Sequence, residues 1–502
     1  MLKAYAAVAA CALVLAPNAW AGPQFVNGLL IPGETLDKTK VVGANEGRLG
    51  FFSDIYYDPK RRQWWALSDR GPGGGVLAYE TRVQRFDIKV DRDTGAISKF
   101  KIEKTIKFTD PNGLLAAPAQ ADLDNPEAMN GLNPALLNGN PAALGRSFDP
   151  EGFVVSPING HFIVSDEYGP SLYESNREGE LLAIFETPAN LLPRLKDAAG
   201  NPGEPDFVAG RASDGIFFGR QDNRGFEGIA ISPNGKKVFA VLQDPLINEP
   251  PTNNGRDGRN VRIDVFDSDP DSATYGKSIA QYAYQLEAQA EVAARINAQI
   301  PGSATATDPR QGRNIGLSAI VAINENEFLV IERDNRGLGV DDPEGATAVG
   351  SKRVYKIDLS GATDISGAAL PGGDLAAAGI VPAAKSGVFI DLAADTVLPN
   401  GKIAEKWEGL AIGPELKDGS FLILAGNDND FSVTQNDSNV QFDVYVDFEG
   451  GRVMRDIDEP TRLEGVEVGP VPEGFTLIPG VLHAYKASPA DLAGYVEPRK
   501  ER

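Results

Sequence analysis

Acidic residues stand at both ends of a short hairpin pattern in this sequence. In FEGIAISPNGKKVFAVLQD, residues 226–244, alternating apolar positions indicate two short strands, and Pro-Asn-Gly at 233–235 is typical of the turn between them. Antiparallel pairing of these strands would bring Glu227 and Asp244 to the same edge of a sheet. Carboxylates held side by side can bind a metal ion or act as an acid and a base.

The same pattern recurs along the chain with acids at the same offsets. Two clear copies, DPEGFVVSPINGHFIVSDEYGP and KWEGLAIGPELKDGSFLILAGNDND, keep the order acid, glycine, strand, proline, turn, strand, acid. Their acids are Glu151, Asp166, Glu167, Glu408, Asp428 and Asp430. In two weaker copies Ser53 and Ser318 replace the first acid, and the acids that end the pattern are Asp69, Glu332 and Asp334. A generally acidic surface does not explain why acids recur at the same positions of the hairpin pattern.

Repeated hairpins of this kind must be positioned by a modular β fold. The first positions of successive copies are 76 to 98 residues apart, which exceeds the roughly 40 to 50 residues of a compact propeller blade. The sequence therefore predicts an all-β fold, a single β-propeller of six or seven blades, with long insertions in glycine- and proline-rich stretches such as 110–145. The apolar spacing of LEAQAEVAARINAQI at 286–300 predicts one short helical insertion.

The first residues predict export. Lys3, an apolar run through Leu15 and the stretch APNAWA indicate a signal peptide over residues 1–21, which leaves one propeller domain over 22–502. That domain contains no cysteine, so disulfides cannot stabilise it. No other apolar run is long enough for a membrane anchor, and we expect the protein to be periplasmic or secreted.

The net charge and the absence of several motifs limit the partners and the catalytic groups that we expect. A net charge of −22 argues against nucleic acid as a partner and suits cation binding. With only two histidines and no C-x-x-C, G-x-S-x-G or Walker motif, neither a histidine zinc site nor a nucleophile elbow is expected. Clustered carboxylates and amides supply oxygen ligands, which favours Ca²⁺ over a transition metal.

Four ordered motifs resemble a known family. DPEGFVVSP with FIVSDEYGPSLYE, NRGFEGIAISPNGKKVFAVLQDPL, FLVIERDNRG and WEGLAIGP with LAGNDNDF are similar to the signatures of the family named "esterase-like activity of phytase", over about residues 45 to 485. The resemblance implies a phytase-like β-propeller and hydrolysis of phosphoesters or esters. It also implies a set of functional acids, namely Glu151, Asp166, Glu167, Glu227, Glu332, Asp334, Glu408, Asp428 and Asp430. Ser53 and Ser318 depart from the family's E-G form.

The repeat and the resemblance together predict roles for individual residues. In a propeller, acids at the starts and ends of the inner hairpins would gather at one mouth of the central channel. The expected metal ligands are Glu151, Glu227, Glu408, Asp244, Asp334, Asp428 and Asp430. The expected catalytic residues are Glu227, Glu408, Asp166 and Glu167. The arginines expected to bind an anionic substrate, or alternatively to form salt bridges with these acids, are Arg70, Arg224, Arg333 and Arg336.

Two function classes fit these features. The first is an exported hydrolase that uses Ca²⁺ to cleave a small phosphoester or ester substrate. The alternative is a non-catalytic binding or scaffold propeller with a structural calcium ion, in which each acid accepts hydrogen bonds within its own blade. The sequence leaves the substrate and the oligomeric state open.

Overall fold

Short antiparallel strands dominate the computed structural model, which describes residues 22–39, 47–115, 125–137, 141–207, 215–304, 315–435, 441–456, 463–464 and 471–499. Strand β1 (Gln24–Ile31) is followed by a sheet of β2 (Asp54–Asp58), β3 (Gln63–Leu67), β4 (Arg82–Val90) and β5 (Ile97–Lys107). The second sheet contains β6 (Pro150–Val155), β7 (Phe162–Asp166), β8 (Ser171–Ser175) and β9 (Leu181–Ile184). A small sheet of β10 (Arg194–Lys196), β11 (Pro202–Pro205) and β12 (Ile216–Phe218) comes next.

Three further four-stranded sheets complete the main architecture. The third contains β13 (Phe226–Ile231), β14 (Lys237–Leu242), β15 (Asn260–Asp267) and β16 (Ser278–Gln285), and the fourth contains β17 (Gly316–Ala322), β18 (Glu327–Arg333), β19 (Lys352–Asp358) and β20 (Ala384–Asp391). In the fifth sheet, β21 (Trp407–Glu415) and β22 (Phe421–Asn427) are joined by β28 (Gly480–Ala487) and then by β1. The chain therefore uses its first described strand to complete its last large sheet.

The remaining elements are insertions. A second small sheet has five strands, two of them only two residues long, namely β23 (Val433–Gln435), β24 (Gln441–Val446), β25 (Arg452–Asp456), β26 (Leu463–Glu464) and β27 (Thr476–Leu477). The helices are α1 (Pro134–Leu137), α2 (Gln289–Gln299) and short 3₁₀ turns at Gly255–Asp257, Ala376–Ala378, Leu392–Ala394 and Asp430–Ser432. Helix α2 confirms the helical insertion that the sequence predicts.

The five large sheets have a propeller-like arrangement. Their first strands contact one another in chain order, β2 with β6, β6 with β13, β13 with β17 and β17 with β21, and β2 also contacts β21. Residues from all five strands line one apolar cavity, which Tyr495 and Pro498 also border; one residue from each strand is Ile55, Val154, Ile229, Ile320 and Leu410. Neighbouring sheets bury their faces against each other, as where Trp65 packs with Phe153 and Phe162.

The all-β fold is confirmed, whereas the expected six or seven blades are not. The described residues form five four-stranded sheets, one for each copy of the hairpin pattern. The long spacing between copies is taken up by the two small sheets, by α2 and by loops, and these add length without adding a large sheet.

In the clear copies of the pattern, the glycine directly after the first glutamate allows the first strands of neighbouring sheets to approach closely. The pairing register of β6 with β7 shifts between Pro150 and Phe153, and that of β13 with β14 shifts between Phe226 and Ile229. Such a bulge turns the side chain of the preceding glutamate out of the regular pleat. A Cβ on Gly228 would lie 2.6 Å from the Cα of Ala319 in the next sheet. The glycine is therefore required by the contact between sheets.

We expect Gly228→Ala to destabilise the protein by at least about 2 kcal/mol, because the added methyl group meets backbone that cannot move without shifting β17. Gly361→Ala is the matched control, since a Cβ there has no heavy atom within 4 Å, and its effect should stay within about 0.5 kcal/mol. Urea unfolding followed by tryptophan fluorescence measures both. Equal effects at the two positions would show that the close approach does not constrain the fold.

Candidate active site

The start of each first strand and the end of its partner strand lie at one edge of each large sheet. The register pairs Pro150 with Asp166 in the second sheet, Phe226 with Leu242 in the third and Trp407 with Asn427 in the fifth. Glu227 and Asp244 consequently share this edge, as the hairpin pattern predicts. We call it the acidic edge.

Three buried carboxylates converge where the first and second sheets meet at the acidic edge. Asp69 follows β3, Asp149 precedes β6, and Glu151 is the second residue of β6. Each offers one oxygen, and the three oxygens lie within 4.8 Å of one another. Among the described residues, none forms a hydrogen bond or ion pair with the Glu151 carboxylate. We call Asp69, Asp149 and Glu151 the first triad.

A second group shares Asp69. Oxygens of Asp69, Asp428 and Asp430 also lie within 4.8 Å of one another, and we call these residues the second triad. The amide of Asp430 donates a 2.9 Å hydrogen bond to Oδ1 of Asp428. Nζ of Lys406 lies 3.9 Å from Oδ2 of Asp428 and forms an ion pair with Asp430. An ammonium group is therefore already present at the second triad.

Three of the four predicted arginines lie at the acidic edge. Nη1 of Arg70 donates a 2.9 Å hydrogen bond to Oδ2 of Asp149. Nε of Arg224 donates a 3.0 Å hydrogen bond to Oδ2 of Asp244, and its Nη1 lies 3.5 Å from Oε1 of Glu167. These guanidinium groups already interact with acids, as the salt-bridge alternative predicts.

Arg333 lies between two of the predicted glutamates. Its Nη2 donates to Oε1 of Glu408 and lies 4.0 Å from Oε1 of Glu227. Gln243, at the end of β14, donates from Nε2 to the same oxygen of Glu227. Both glutamates are thereby fixed at one oxygen by neighbouring side chains.

Several buried polar atoms at this edge have no hydrogen-bond partner among the described residues. They include Oε2 of Glu227, Oε1 of Gln243, Oδ1 of Asp244, Nε of Arg333 and Nε of Arg70. Buried polar atoms without partners are rare in folded proteins, because each has lost its hydration without compensation. Their concentration at one edge indicates a place where water, a cation or a substrate completes the bonding.

Burial and like charge favour the protonated forms of these acids. Burial raises the pKa of Asp69, Asp149 and Glu408 to about 8, with neighbouring carboxylates adding to the shift. Burial raises the pKa of Glu151 well above its ordinary value, and Glu227, Asp149 and Glu408 raise it further. The same causes, burial first and then Glu167 and Glu408, raise the pKa of Glu227. Such a cluster ionises at neutral pH only when cations neutralise it.

Asp166, one of the predicted catalytic residues, has partners inside its own sheet. Oδ1 of Asp166 accepts hydrogen bonds from the amides of Asp149, at 3.0 Å, and Tyr168, at 3.1 Å. The hydroxyl of Tyr173 donates to the other oxygen at 3.4 Å. The carboxylate thus holds the backbone that presents Asp149.

Three residues that the sequence predicts from the hairpin of β17 and β18, in the fourth sheet, form contacts with groups outside the acidic edge. Asp334 pairs with Nζ of Lys352 at 2.9 Å and accepts from the amide of Ser351 at 3.2 Å. Nη1 of Arg336 donates to the carbonyl of Ala348 at 3.2 Å. Glu332 accepts from Lys385 and from the hydroxyl of Tyr284, and Ser318 replaces the glutamate at the start of this hairpin.

The structure also identifies residues that the sequence pattern did not assign. Asp69 ends a weak copy, and Asp149 lies two residues before Glu151 in DPEG. Gln243 directly precedes the terminal Asp244, and Lys406 lies two residues before Glu408. Asp69 is itself an acid of the pattern, but no role was assigned to it from the sequence, whereas for Asp149, Gln243 and Lys406 the only signal in the sequence was their closeness to acids of the pattern.

The family now follows from comparison. The family described as "Phytase-like: Esterase-like activity of phytase" matches residues 47–431. The chain belongs to this family. The matched region contains both triads and the three arginines of the acidic edge, and it confirms the resemblance carried by the four motifs.

Other relatives add less to the phytase-like assignment. A protein named "Uncharacterized secreted protein" from Arthroderma benhamiae is 27% identical over 429 residues, 74% of this chain and 78% of the relative. A periplasmic gluconolactonase of Pseudomonas aeruginosa matches with 11% identity and a TM-score of 0.30, over 91% of this chain and 98% of its own. A putative 6-phosphogluconolactonase of Bacteroides uniformis matches with 11% identity and a TM-score of 0.28, over 88% and 90%. Structural likeness at this level carries no argument about activity.

The predicted export agrees with the name of the relative from Arthroderma benhamiae. The relative is named as a secreted protein, and within the described ranges no helix is both long enough and apolar enough to cross a membrane. The predicted signal peptide, residues 1–21, lies outside the described residues.

We expect the metal-free phytase-like chain to lose stability as the pH rises from about 4 to about 8. The carboxyls of Asp69, Asp149 and Glu408 have a folded pKa of about 8, whereas the unfolded value is about 4. Their favourable contribution is complete below the unfolded pKa and is lost as the pH passes through the folded pKa. Thermal melting in chelator should show the decline, and Asp69→Asn should make it shallower. A midpoint that rises over this range would contradict the assignment.

Proposed function

We propose that this phytase-like protein is an exported hydrolase with a closed five-bladed propeller and that it cleaves phosphoesters or esters of small molecules with the help of Ca²⁺ at the acidic edge. One observation carries the proposal. Three buried carboxylates from two neighbouring sheets place their oxygens within 4.8 Å of one another, although they repel each other. Such an arrangement is costly without a cation, and the family described by its esterase-like activity gives the cation a use.

The first triad fits Ca²⁺ in its chemistry. Calcium prefers several oxygen ligands and accepts carboxylates in flexible geometry. Asp69, Asp149 and Glu151 supply three carboxylates, and Glu151 has both oxygens available. When bound, the ion would supply charge that polarises a phosphoryl or carbonyl oxygen of the substrate.

The arginines of the acidic edge supply anion recognition. Nε of Arg333 and Nε of Arg70 have no partner among the described residues, although Nη2 of Arg333 donates to Glu408 and Nη1 of Arg70 donates to Asp149. Guanidinium groups fixed by carboxylates keep their remaining N–H groups in a set direction, which suits binding of a phosphate or carboxylate oxygen. These two residues would orient the substrate.

Glu227 is the best placed group for proton transfer. Gln243 holds its Oε1, and its Oε2 has no partner. Because burial and the neighbouring glutamates raise its pKa, the protonated form of Glu227 is favoured, and in that form it can donate a proton to a leaving-group oxygen. Glu408, which Arg333 contacts, and Glu167, which Arg224 contacts, would then act mainly by holding these arginines.

One observation favours the binding or scaffold alternative. The arginines Arg70, Arg224 and Arg333 all interact with acids of the same edge, so part of the cluster is neutralised internally. A structural cation on the first triad, with no reaction, would also satisfy the carboxylates. An activity assay distinguishes the two functions, whereas an assay of calcium binding does not.

Calcium should stabilise the native protein, because a ligand that binds only the folded state adds about 2.7 kcal/mol at a hundred times its dissociation constant. Chelator should therefore lower the melting temperature, and Glu151→Gln should remove most of the difference between calcium and chelator. Asp271→Asn, a change at an exposed turn acid that also removes one negative charge, is the control. If elemental analysis finds no metal and the melting curves in calcium and in chelator are identical, a cation at the first triad is excluded.

A hydrolysis screen should detect activity on at least one of four substrate classes, namely phosphomonoesters, phosphodiesters, phytate and carboxyl esters. Glu227→Gln keeps the shape of the side chain but cannot donate the proton, so we expect kcat to fall by about 100-fold or more. Asp271→Asn should leave kcat unchanged. If the calcium-bound protein hydrolyses none of the four substrate classes, the binding alternative is established.

A further inference from the structure

Lys406 distinguishes the two triads. They share Asp69 and have similar oxygen spacing, but only the second triad has an ammonium group on its remaining members, Asp428 and Asp430. At the first triad, Asp149 is held from one side by Arg70, and Glu151 has no cationic partner among the described residues. Each triad thus has one cationic side chain, but Lys406 contacts two carboxylates of the second triad, whereas Arg70 contacts one carboxylate of the first triad and leaves Glu151 without a cationic partner.

The position of Lys406 is fixed by the backbone. Its carbonyl accepts a 2.8 Å hydrogen bond from the amide of Asp428, so the lysine and the carboxylate that it faces are tied together. Lys406 also has a φ of 41°, in the left-handed region that side chains other than glycine rarely adopt. A lysine that is held in this way is not a solvated surface residue that meets an acid by chance.

Burial strengthens the interaction. The Lys406 side chain is 19% exposed, and Asp428 is buried. The Lys406 ammonium group forms an ion pair with Asp430 and lies 3.9 Å from Oδ2 of Asp428. A divalent cation at the second triad would therefore have to approach an ammonium group that contacts two of its three carboxylates.

We propose that Lys406 is an internal counter-ion that occupies the second triad and limits the acidic edge to one divalent cation, bound by the first triad. This inference deepens the proposed function by assigning its metal stoichiometry to one residue. Lys406 is a positioning residue, because it acts on the carboxylates and not on the substrate.

Calcium stoichiometry tests the proposal. Equilibrium dialysis with ⁴⁵Ca²⁺ on the purified protein should give about one ion per chain for the parent protein and about two for Lys406→Met, which removes the ammonium and keeps an unbranched side chain. Lys402→Met is the matched control, since Lys402 is exposed, lies four residues away and donates from Nζ to the carbonyl of Gly345 at 3.0 Å. It should leave one ion per chain. Adding Asp430→Asn to Lys406→Met should remove the second ion and keep the first.

The outcomes separate this inference from the proposed function. Two ions in the parent protein, or one ion in both the parent protein and Lys406→Met, would overturn the role of Lys406 and leave the calcium site intact. No ion in the parent protein but one in Lys406→Met would support the counter-ion and contradict the first triad as the metal site. No ion in either protein would overturn both.

Two variants keep the test decisive if Lys406→Met does not fold. Asp430→Asn alone should preserve one ion per chain, because the second triad holds no metal in the parent protein, whereas Glu151→Gln should abolish binding. Loss of the ion in Asp430→Asn with a normal far-ultraviolet spectrum would show that the second triad binds the metal and that Lys406 does not exclude it.

Discussion

Buried carboxylates repel one another, and the acidic edge brings many of them together within a few residues of where the first strands begin. The pKa values of Asp69, Asp149 and Glu408, raised to about 8, express the cost of this crowding. The protein offsets part of the cost with Arg70, Arg333 and other cations inside the cluster, and part with backbone amides that donate to individual oxygens. The remaining negative charge is what a bound cation would neutralise.

The propeller-like arrangement determines which carboxylates meet. Each large sheet begins with a strand that faces the centre, and the bulge at the E-G pair turns one side chain towards its neighbours. Close packing of the first strands then depends on Gly152, Gly228 and Gly409, where a Cβ would lie within 2.7 Å of the next sheet. The chemistry of the edge and the packing of the sheets therefore rest on the same dipeptide.

Much of the fold could be predicted from the sequence, because periodicity and turns are local. The hairpin of Glu227 and Asp244 and helix α2 have the predicted positions. The number of sheets was not predictable from the spacing, since an insertion and an additional blade lengthen the chain in the same way. The first triad was not predictable either. It requires that the first and second sheets be neighbours, and it includes Asp149, which lies outside the repeated pattern. Asp334 fits the pattern, yet Lys352 on the adjacent strand β19 pairs with it.

Strand β1 completes the fifth sheet by pairing with β28, so Gln24 lies opposite Lys486. This sheet unites residues from opposite ends of the chain, and it cannot form until nearly all of the polypeptide is available. Loop closure over so long a segment is slow compared with the formation of the local hairpins. The large sheets built from consecutive strands can therefore form first, and the fifth sheet can form last. Because β1 and β28 are neighbours, the same sheet would also survive if the two ends were joined and the chain were opened in an exposed loop elsewhere.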